Sequence, residues 1–359
     1  MANKNKNILI DIGHPAHVHL FRNIYFELLS RKHKVWVTVK DNSVVHKLLN
    51  SYNIPFIIIG KKNDKLIGKL ISQFSYNFKI LKLVRDNKIH IGIGSSMTIA
   101  HVSKISKMKS IVFDDDDDKV QPLFVKYAHP FADTILSPKC LIGKRKNKKT
   151  VFYDGFHELA YLHPKRFKPN PEILYEIGLN EEDVFFILRF NVFKAHHDIG
   201  ENGMSLVQKL KLIKLLKCYG KIFITTEREI EPELKKYQLS ISPEKTHSLM
   251  YYATMFLGDS QTMTSESAII GTPAIRMNSF VGEIAYLEEL ELKYKLTYGF
   301  KPNQFVDMLI KVESLLKKEN LKKIWKKRNK KMILDKSDIT SYFIWFIENY
   351  PLSKKKYKN

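Results

Sequence analysis

Short apolar runs alternate with helical periodicity along almost the whole chain. In the first half the runs fall at 7–12, 34–39, 54–59, 89–93, 110–113 and 134–136, and helical patterns begin near His17, Ser43, Lys65 and Thr98. Strands that are apolar almost throughout and separated by helices predict a parallel sheet covered on both faces, since such strands have no solvated side to alternate with. The second half repeats the alternation, with runs at 184–188, 222–225, 255–257 and 274–277 and helices over 204–216, 265–270, 304–316 and 321–334. Between the halves lie the basic stretch Lys144-Arg145-Lys146-Asn147-Lys148-Lys149, one more strand candidate at 151–155, and a segment punctuated by Pro164, Pro169 and Pro171. Charge and proline together mark a boundary. The pattern therefore predicts an α/β protein of two doubly wound Rossmann-like domains, 1–165 and 166–336. Residues 337–359 form a closing helix and basic tail, with N-cap chemistry at Ser337-Asp338 and an aromatic run of Tyr342, Phe343, Trp345 and Phe346. Two such domains in tandem are expected to face each other across a cleft at the carboxyl ends of their strands, where open α/β sheets bind ligands. The chemistry is accordingly sought in the loops that follow strands.

The most informative of these loops runs from Leu257 to Ala274. A strand ends at Gly258, small polar residues turn the chain, a helix begins near Thr262, and Gly271 and Pro273 end it. Amides at such a helix start, with the dipole behind them, form an anion site suited to a diphosphate. Glu266, about one turn further on, can accept both hydroxyls of a ribose. The same residues also fit an ordinary strand–turn–helix connection, with Ser/Thr capping and Glu266 in solvent.

Asp259-Ser260, then Glu266, then Gly271-x-Pro273 resembles the donor-site motif of UDP-N-acetylglucosamine 2-epimerases, and is similar to the matching segment of the N-acetylglucosaminyltransferase that makes lipid II. The whole chain more closely resembles a bacterial and archaeal family described as predicted glycosyltransferases. The residues that carry this likeness are Gly13 to His19, Gly155-Phe156-His157-Glu158-Leu159-Ala160-Tyr161-Leu162, Arg189 with Ala195-His196-His197-Asp198-x-Gly200, and the segment above. The resemblance implies a GT-B fold and a nucleotide diphosphate-sugar donor, with Glu266 on the ribose and Ser260, Gln261 and Thr262 near the diphosphate. It also implies no bound metal or cofactor. One departure is visible: epimerases carry a glycine pair after the serine, where Gln261-Thr262 stands here, and side chains at that place narrow the backbone's approach to phosphate.

The first strand ends in Gly13-His14-Pro15-Ala16-His17-Val18-His19. Histidine titrates close to neutral pH and serves most often as general base. His17, which resembles the histidine of the lipid II enzyme's first loop, is the expected base toward an acceptor hydroxyl; His14 stands second and His19 is structural. Arg189 or His196, after the first strand of the second domain, would neutralise a departing diphosphate. His247 opens the helix before the donor segment and is placed near the nucleotide. Asp114 to Asp118 follow a strand directly, but they lack the carboxylate spacing and turn glycine of an oxygen-ligand metal site, and their mutual repulsion predicts a solvated loop. Asp114 and Asp115 sit at the strand end, and with Glu158 they would supply acid and base if the reaction is an epimerisation.

Charge widens the choice of partners. Lys and Arg outnumber Asp and Glu by 23, which favours anionic ligands, nucleic acid or an acidic membrane face, although a coding bias toward Lys, Asn and Ile explains the excess equally well. A nucleic-acid binder ranks last, because no recognisable binding module or interleaved aromatic platform accompanies the charge. Between Lys61 and Lys88 stand eight basic and two acidic residues, with Leu66, Ile67, Leu70, Ile71, Phe74 and Phe78 at helical spacing. That is the pattern of a peripheral membrane helix, yet any helix flanking a sheet needs an apolar stripe, so core packing is the simpler account. The apolar residues before Asp11 are too few for a signal peptide, and Cys140 and Cys218 suggest neither disulfide nor zinc site. The expectation is a cytoplasmic enzyme, peripheral on the inner membrane face if it binds there. It would transfer a sugar from a nucleotide diphosphate-sugar to a hydroxyl acceptor, lipid-linked in that case, in surface polysaccharide synthesis. The alternative is a sugar-nucleotide 2-epimerase or hydrolase on the same fold.

Overall fold

The computed structural model describes residues 5–61, 66–190, 204–226 and 229–356. It divides into two compact units, Met1–Tyr161 with Ser337–Asn359, and Leu162–Lys336.

The first unit is built on seven parallel strands: β1 (Asn7–Ile12), β2 (Lys34–Asp41), β3 (Ile57–Lys61), β4 (Ile91–Gly94), β5 (Lys109–Phe113), β6 (Thr134–Pro138) and β7 (Thr150–Tyr153). Their spatial order is β3-β2-β1-β4-β5-β6-β7, so connections run outward in both directions from β1 and β4, the doubly wound arrangement. Between the strands lie α1 (Pro15–Ser30), α2 (Ser43–Ser51), α3 (Leu66–Asp86), α4 (Met97–Lys104) and α5 (Pro122–Tyr127), and α6 (Leu159–Leu162) follows β7. Residues of β1, β4 and β5 such as Leu9, Ile93 and Val112 are fully buried, as expected of strands covered on both faces. β3 starts at Ile57 and not at 54, because Pro55 has no N–H to give to a ladder. α1 starts at Pro15, two residues before the expected His17. Pro at the first position suits a helix start, and the His14 ring caps it, Nδ1 accepting from the Ala16 amide at 3.2 Å.

The core-packing account of α3 fails in part. Tyr76, Ile80 and Val84 bury one side of the helix in the sheet's core, whereas Ile71, Phe74 and Phe78 face solvent.

The second unit has six parallel strands: β8 (Phe185–Arg189), β9 (Lys221–Thr225), β10 (Gln238–Leu239), β11 (Met255–Gly258), β12 (Ala274–Met277) and β13 (Thr297–Phe300). Their order is β10-β9-β8-β11-β12-β13. Its helices are α7 (Glu172–Glu176), α8 (Leu206–Leu216), α9 (Thr246–Tyr252), α10 (Gln261–Ile270), α11 (Ala285–Glu288), α12 (Phe305–Leu316) and α13 (Leu321–Asp335), with a π-helical turn at Glu289–Lys293. β10 and β13, the two edges, were not expected from the pattern. The first has two residues and the second reads Thr-Tyr-Gly-Phe, too few apolar positions to register as a run.

The closing helices α14 (Ile339–Glu348) and α15 (Leu352–Lys356) belong to the first unit. Asp338 caps α14 through the Ser341 amide. Phe343 meets Phe113 edge-on, with centroids 4.7 Å apart. Lys6 Nζ donates to the carbonyls of Ile347, Glu348 and Tyr350, collecting the oxygens that a helix end leaves over.

Candidate functional site

In the second unit the loop after β11 has the expected form. Gly258 lies so close to β8 that a Cβ there would stand 2.1 Å from the Arg189 carbonyl oxygen. The turn is then fixed from both sides: the Asp259 amide donates to the Arg189 carbonyl at 3.2 Å, and Asn278 Nδ2 donates to the Asp259 carbonyl at 2.9 Å. Ser260 caps α10, its hydroxyl accepting from the Met263 amide at 3.3 Å. By helix geometry the amides of Gln261 and Thr262 have no acceptor within the helix and stay available to an anion. α10 ends at Gly271 in the left-handed region, φ 88°, as a C-terminal glycine does.

Glu266 is not a solvated carboxylate. It is 5% exposed, and His247 Nε2 on α9 lies 3.0 Å from its Oε1. Arg189, at the end of β8, is half-buried and donates from Nη1 to the Thr225 carbonyl at 2.7 Å. His196 lies outside the described residues.

In the first unit the carboxyl ends of β1, β5 and β7 bring His17, Asp114, Asp115, His157 and Glu158 into one neighbourhood. His14 is exposed, and its ring meets that of the half-buried His17 edge-on at 5.9 Å. His17 Nδ1 accepts from the Gly13 amide at 3.4 Å. His19 is buried and stacks on Tyr161, a packing role.

The aspartate run overturns the expected solvated loop. Asp114 and Asp117 are buried and the other three are half-buried. Arg145 makes this possible: its fully buried guanidinium bonds the Asp114 and Asp118 carboxylates at 2.7 and 2.6 Å and the carbonyls of Asp114 and Asp116 at 3.2 and 2.8 Å. Repulsion that would open an isolated run is cancelled by a planar, fork-shaped cation. Asp114 also accepts from Gln121 and meets His129 Nε2 at 2.7 Å. It is thus a fixed anchor from which Asp115 and Asp116 project.

Asp115 Oδ2 lies 3.1 Å from His157 Nδ1, and His157 stacks on the buried Tyr153 with rings 5.9 Å apart. Burial works against the charge of His157, but the Asp115 carboxylate, with Glu158 and Asp114 behind it, raises its pKa above the ordinary value. Burial likewise works against ionised Asp115; the charge and hydrogen bond of His157, and then the charge of His17, outweigh it and lower its pKa. Asp116 goes the other way, pushed up to about 7 by burial and by the charges of Asp115 and Asp114. Two adjacent carboxyls thus differ widely in proton affinity, the arrangement that separates acid and base roles.

Two of these groups were missed from sequence: Arg145, read as part of a basic boundary, and His157, which was given no role beside the expected Asp115. Asp115 and His157 were both quoted, yet nothing local couples them. A further buried carboxylate, Asp11 at the end of β1, accepts from the hydroxyls of Thr38, at 2.7 Å, and Ser96. Its pKa is raised chiefly by burial. Among the described residues no group of three or more His, Cys, Asp or Glu side chains is arranged to hold a metal ion, and no helix is long and apolar enough to cross a membrane.

Among solved structures the chain is similar to a UDP-N-acetylglucosamine 2-epimerase, at 13% identity and a TM-score of 0.68 over 97% of both chains. It is also similar to Spinosyn Forosaminyltransferase SpnP, at 11% identity and a TM-score of 0.64 over 96% of this chain and 100% of that one. At these identities the likeness establishes the fold, which is GT-B: two Rossmann-like units, each on a parallel sheet. A sequence relative in Methanocaldococcus jannaschii, described as Uncharacterized protein MJ0665, is 26% identical over 290 residues, 76% of this chain and 81% of that protein. The model of the family described as "Protein of unknown function (DUF354)" matches residues 6–344, so the chain belongs to that family.

Proposed function

We propose that the protein transfers a sugar from a nucleotide diphosphate-sugar to a hydroxyl acceptor without a bound metal. The observation that carries this reading is the donor half-site of the second unit: a capped helix start with available amides, and behind it a buried carboxylate held by a histidine. The diphosphate takes the amides of Gln261 and Thr262 beside Ser260. The ribose hydroxyls take the buried Glu266 carboxylate, which His247 orients. In the reaction the acceptor oxygen bonds to the anomeric carbon as the bond from that carbon to the diphosphate breaks. His17 takes the acceptor's proton, and the ionised Asp115 stabilises the resulting imidazolium. The leaving diphosphate carries off the electron pair, and its charge is met by the start of α10 and by Arg189 and His196. His14, as the cap of α1, holds the turn from which His17 projects. Surface polysaccharide or glycoconjugate synthesis on the inner membrane face, with a lipid-linked acceptor, is the setting that fits such a transferase.

A second reading is favoured by Asp116. A carboxyl with a pKa of about 7, next to ionised Asp115, can both give and take a proton near neutrality, which suits a sugar-nucleotide 2-epimerase or hydrolase. Here the acid–base work falls to Asp115, Asp116 and Glu158, with Asp114 as their anchor. Incubation with a panel of UDP-, GDP-, CMP- and dTDP-sugars, followed by mass spectrometry and chromatography, separates the two. Turnover only when a hydroxyl acceptor is added supports transfer; an epimer or free sugar formed without acceptor supports the second reading. No interaction with any nucleotide-sugar sinks both.

A further inference from the structure

A helix that flanks a sheet needs one buried stripe. In α3 that stripe is Tyr76, Ile80 and Val84, at successive intervals of four, and Gln73 and Asn77 on the same side bond Thr98 and His101 of α4 at 3.0 and 3.3 Å. The packing requirement of the helix is met there. Ile71, Phe74 and Phe78 are spaced three and four apart on the opposite side and are 66%, 75% and 70% exposed. The same outward line continues through Lys82 and Arg85, both exposed, since residues at these intervals stack along one helix face. Large apolar side chains gathered on one exposed stripe mark a surface that something apolar covers.

We infer that this outward stripe of α3 docks on an anionic lipid bilayer. Charge decides between the occupants. Exposed Lys79, Lys82, Arg85 and Lys88 close one end of the stripe, opposed by Asp86, and Lys61 precedes the helix. A second copy of the chain would bring the same cations against each other, which like-charge repulsion opposes, whereas an anionic surface answers both features at once. Ile71, Phe74 and Phe78 enter the boundary between headgroups and acyl chains while the lysines and Arg85 meet lipid phosphates, the mode of an interfacial amphipathic helix. This surface stands independently of the nucleotide reading, and either can fail without the other.

The test is co-sedimentation of the full chain with phosphatidylcholine vesicles and with vesicles of phosphatidylcholine and phosphatidylglycerol. The protein should pellet with the anionic vesicles only and be released by salt. Phe74→Ser with Phe78→Ser should lower the partition coefficient about tenfold or more, and Lys82→Glu with Arg85→Glu should abolish the preference for anionic lipid. Circular dichroism melting checks that these variants fold. As a second readout, Phe74→Trp should show a blue-shifted emission, relative to the parent protein, when anionic vesicles are added. Equal binding to neutral vesicles, no loss in the serine variant, or an unshifted emission from the Phe74→Trp variant overturns the inference. So does a dimer in solution that the serine variant converts to monomer, since the stripe would then be a self-interface.

Discussion

At Asp116, burial and the charges of Asp115 and Asp114 lift the carboxyl from 3.8 to about 7. In the unfolded chain the same group titrates near its ordinary value, so between about pH 4 and pH 7 the folded state holds the extra proton. Its contribution to stability is therefore complete at low pH and is lost as pH rises through that window. Asp116→Asn should remove this loss, so the stability difference between variant and parent should grow from about pH 4 to pH 7 in a series of urea unfolding curves. Parallel curves would show that Asp116 titrates normally. Arg145 acts on the same run through charge compensation. Arg145→Ala strands buried Asp114 and half-buried Asp118, and should cost about 3–5 kcal/mol of unfolding free energy. Arg145→Lys keeps the charge but not the fork and should recover only part of it. A loss under about 1 kcal/mol in the alanine variant, on the scale of an exposed ion pair, would mean that the aspartates hold their places without it. None of this could be read from five consecutive aspartates, because the guanidinium that neutralises them arrives from the connection between β6 and β7, where the sequence shows only a basic stretch.

The elements around the start of α10 follow local rules, and for that reason were legible. A serine before a helix, a glycine after it and an apolar run ahead of it are decided within a few residues, and α10 runs from Gln261 to Ile270 between Ser260 and Gly271 accordingly. Gly258 is the element's tightest point: a Cβ there would sit 2.1 Å from a β8 carbonyl, so Gly258→Ala must push β11 from β8 and tilt the turn. A cost of about 1–3 kcal/mol in denaturant unfolding is expected, together with weaker nucleotide binding; full stability and affinity would show that the close approach is dispensable. Where non-local partners decide, the sequence was less informative. β13 at the sheet's edge has a glycine and little apolar content, and the Asp115–His157 pair joins residues from the ends of two strands that only the fold brings near. α3 shows the reverse case, in which helical spacing was visible but could not tell which of its apolar residues the sheet would cover.

At the scale of the whole molecule, each Rossmann-like unit carries its own group of polar side chains. The first gathers His17, Asp115, Asp116, His157 and Glu158 at its strand ends, and the second carries the capped helix, Glu266 and His247. The large positive charge suits both an anionic donor and an anionic membrane. Everything enzymatic rests on the second unit holding a nucleoside diphosphate. Isothermal titration calorimetry with UDP and the other nucleoside diphosphates, on the parent protein and on Glu266→Ala, tests this directly. The account predicts binding to at least one of them, weakened in the variant by about 1–3 kcal/mol, or roughly five- to over a hundredfold, the scale of losing hydrogen bonds to a charged group, while His17→Ala leaves the affinity unchanged. Absence of binding to every nucleotide, or equal affinity in the Glu266→Ala protein, would contradict it.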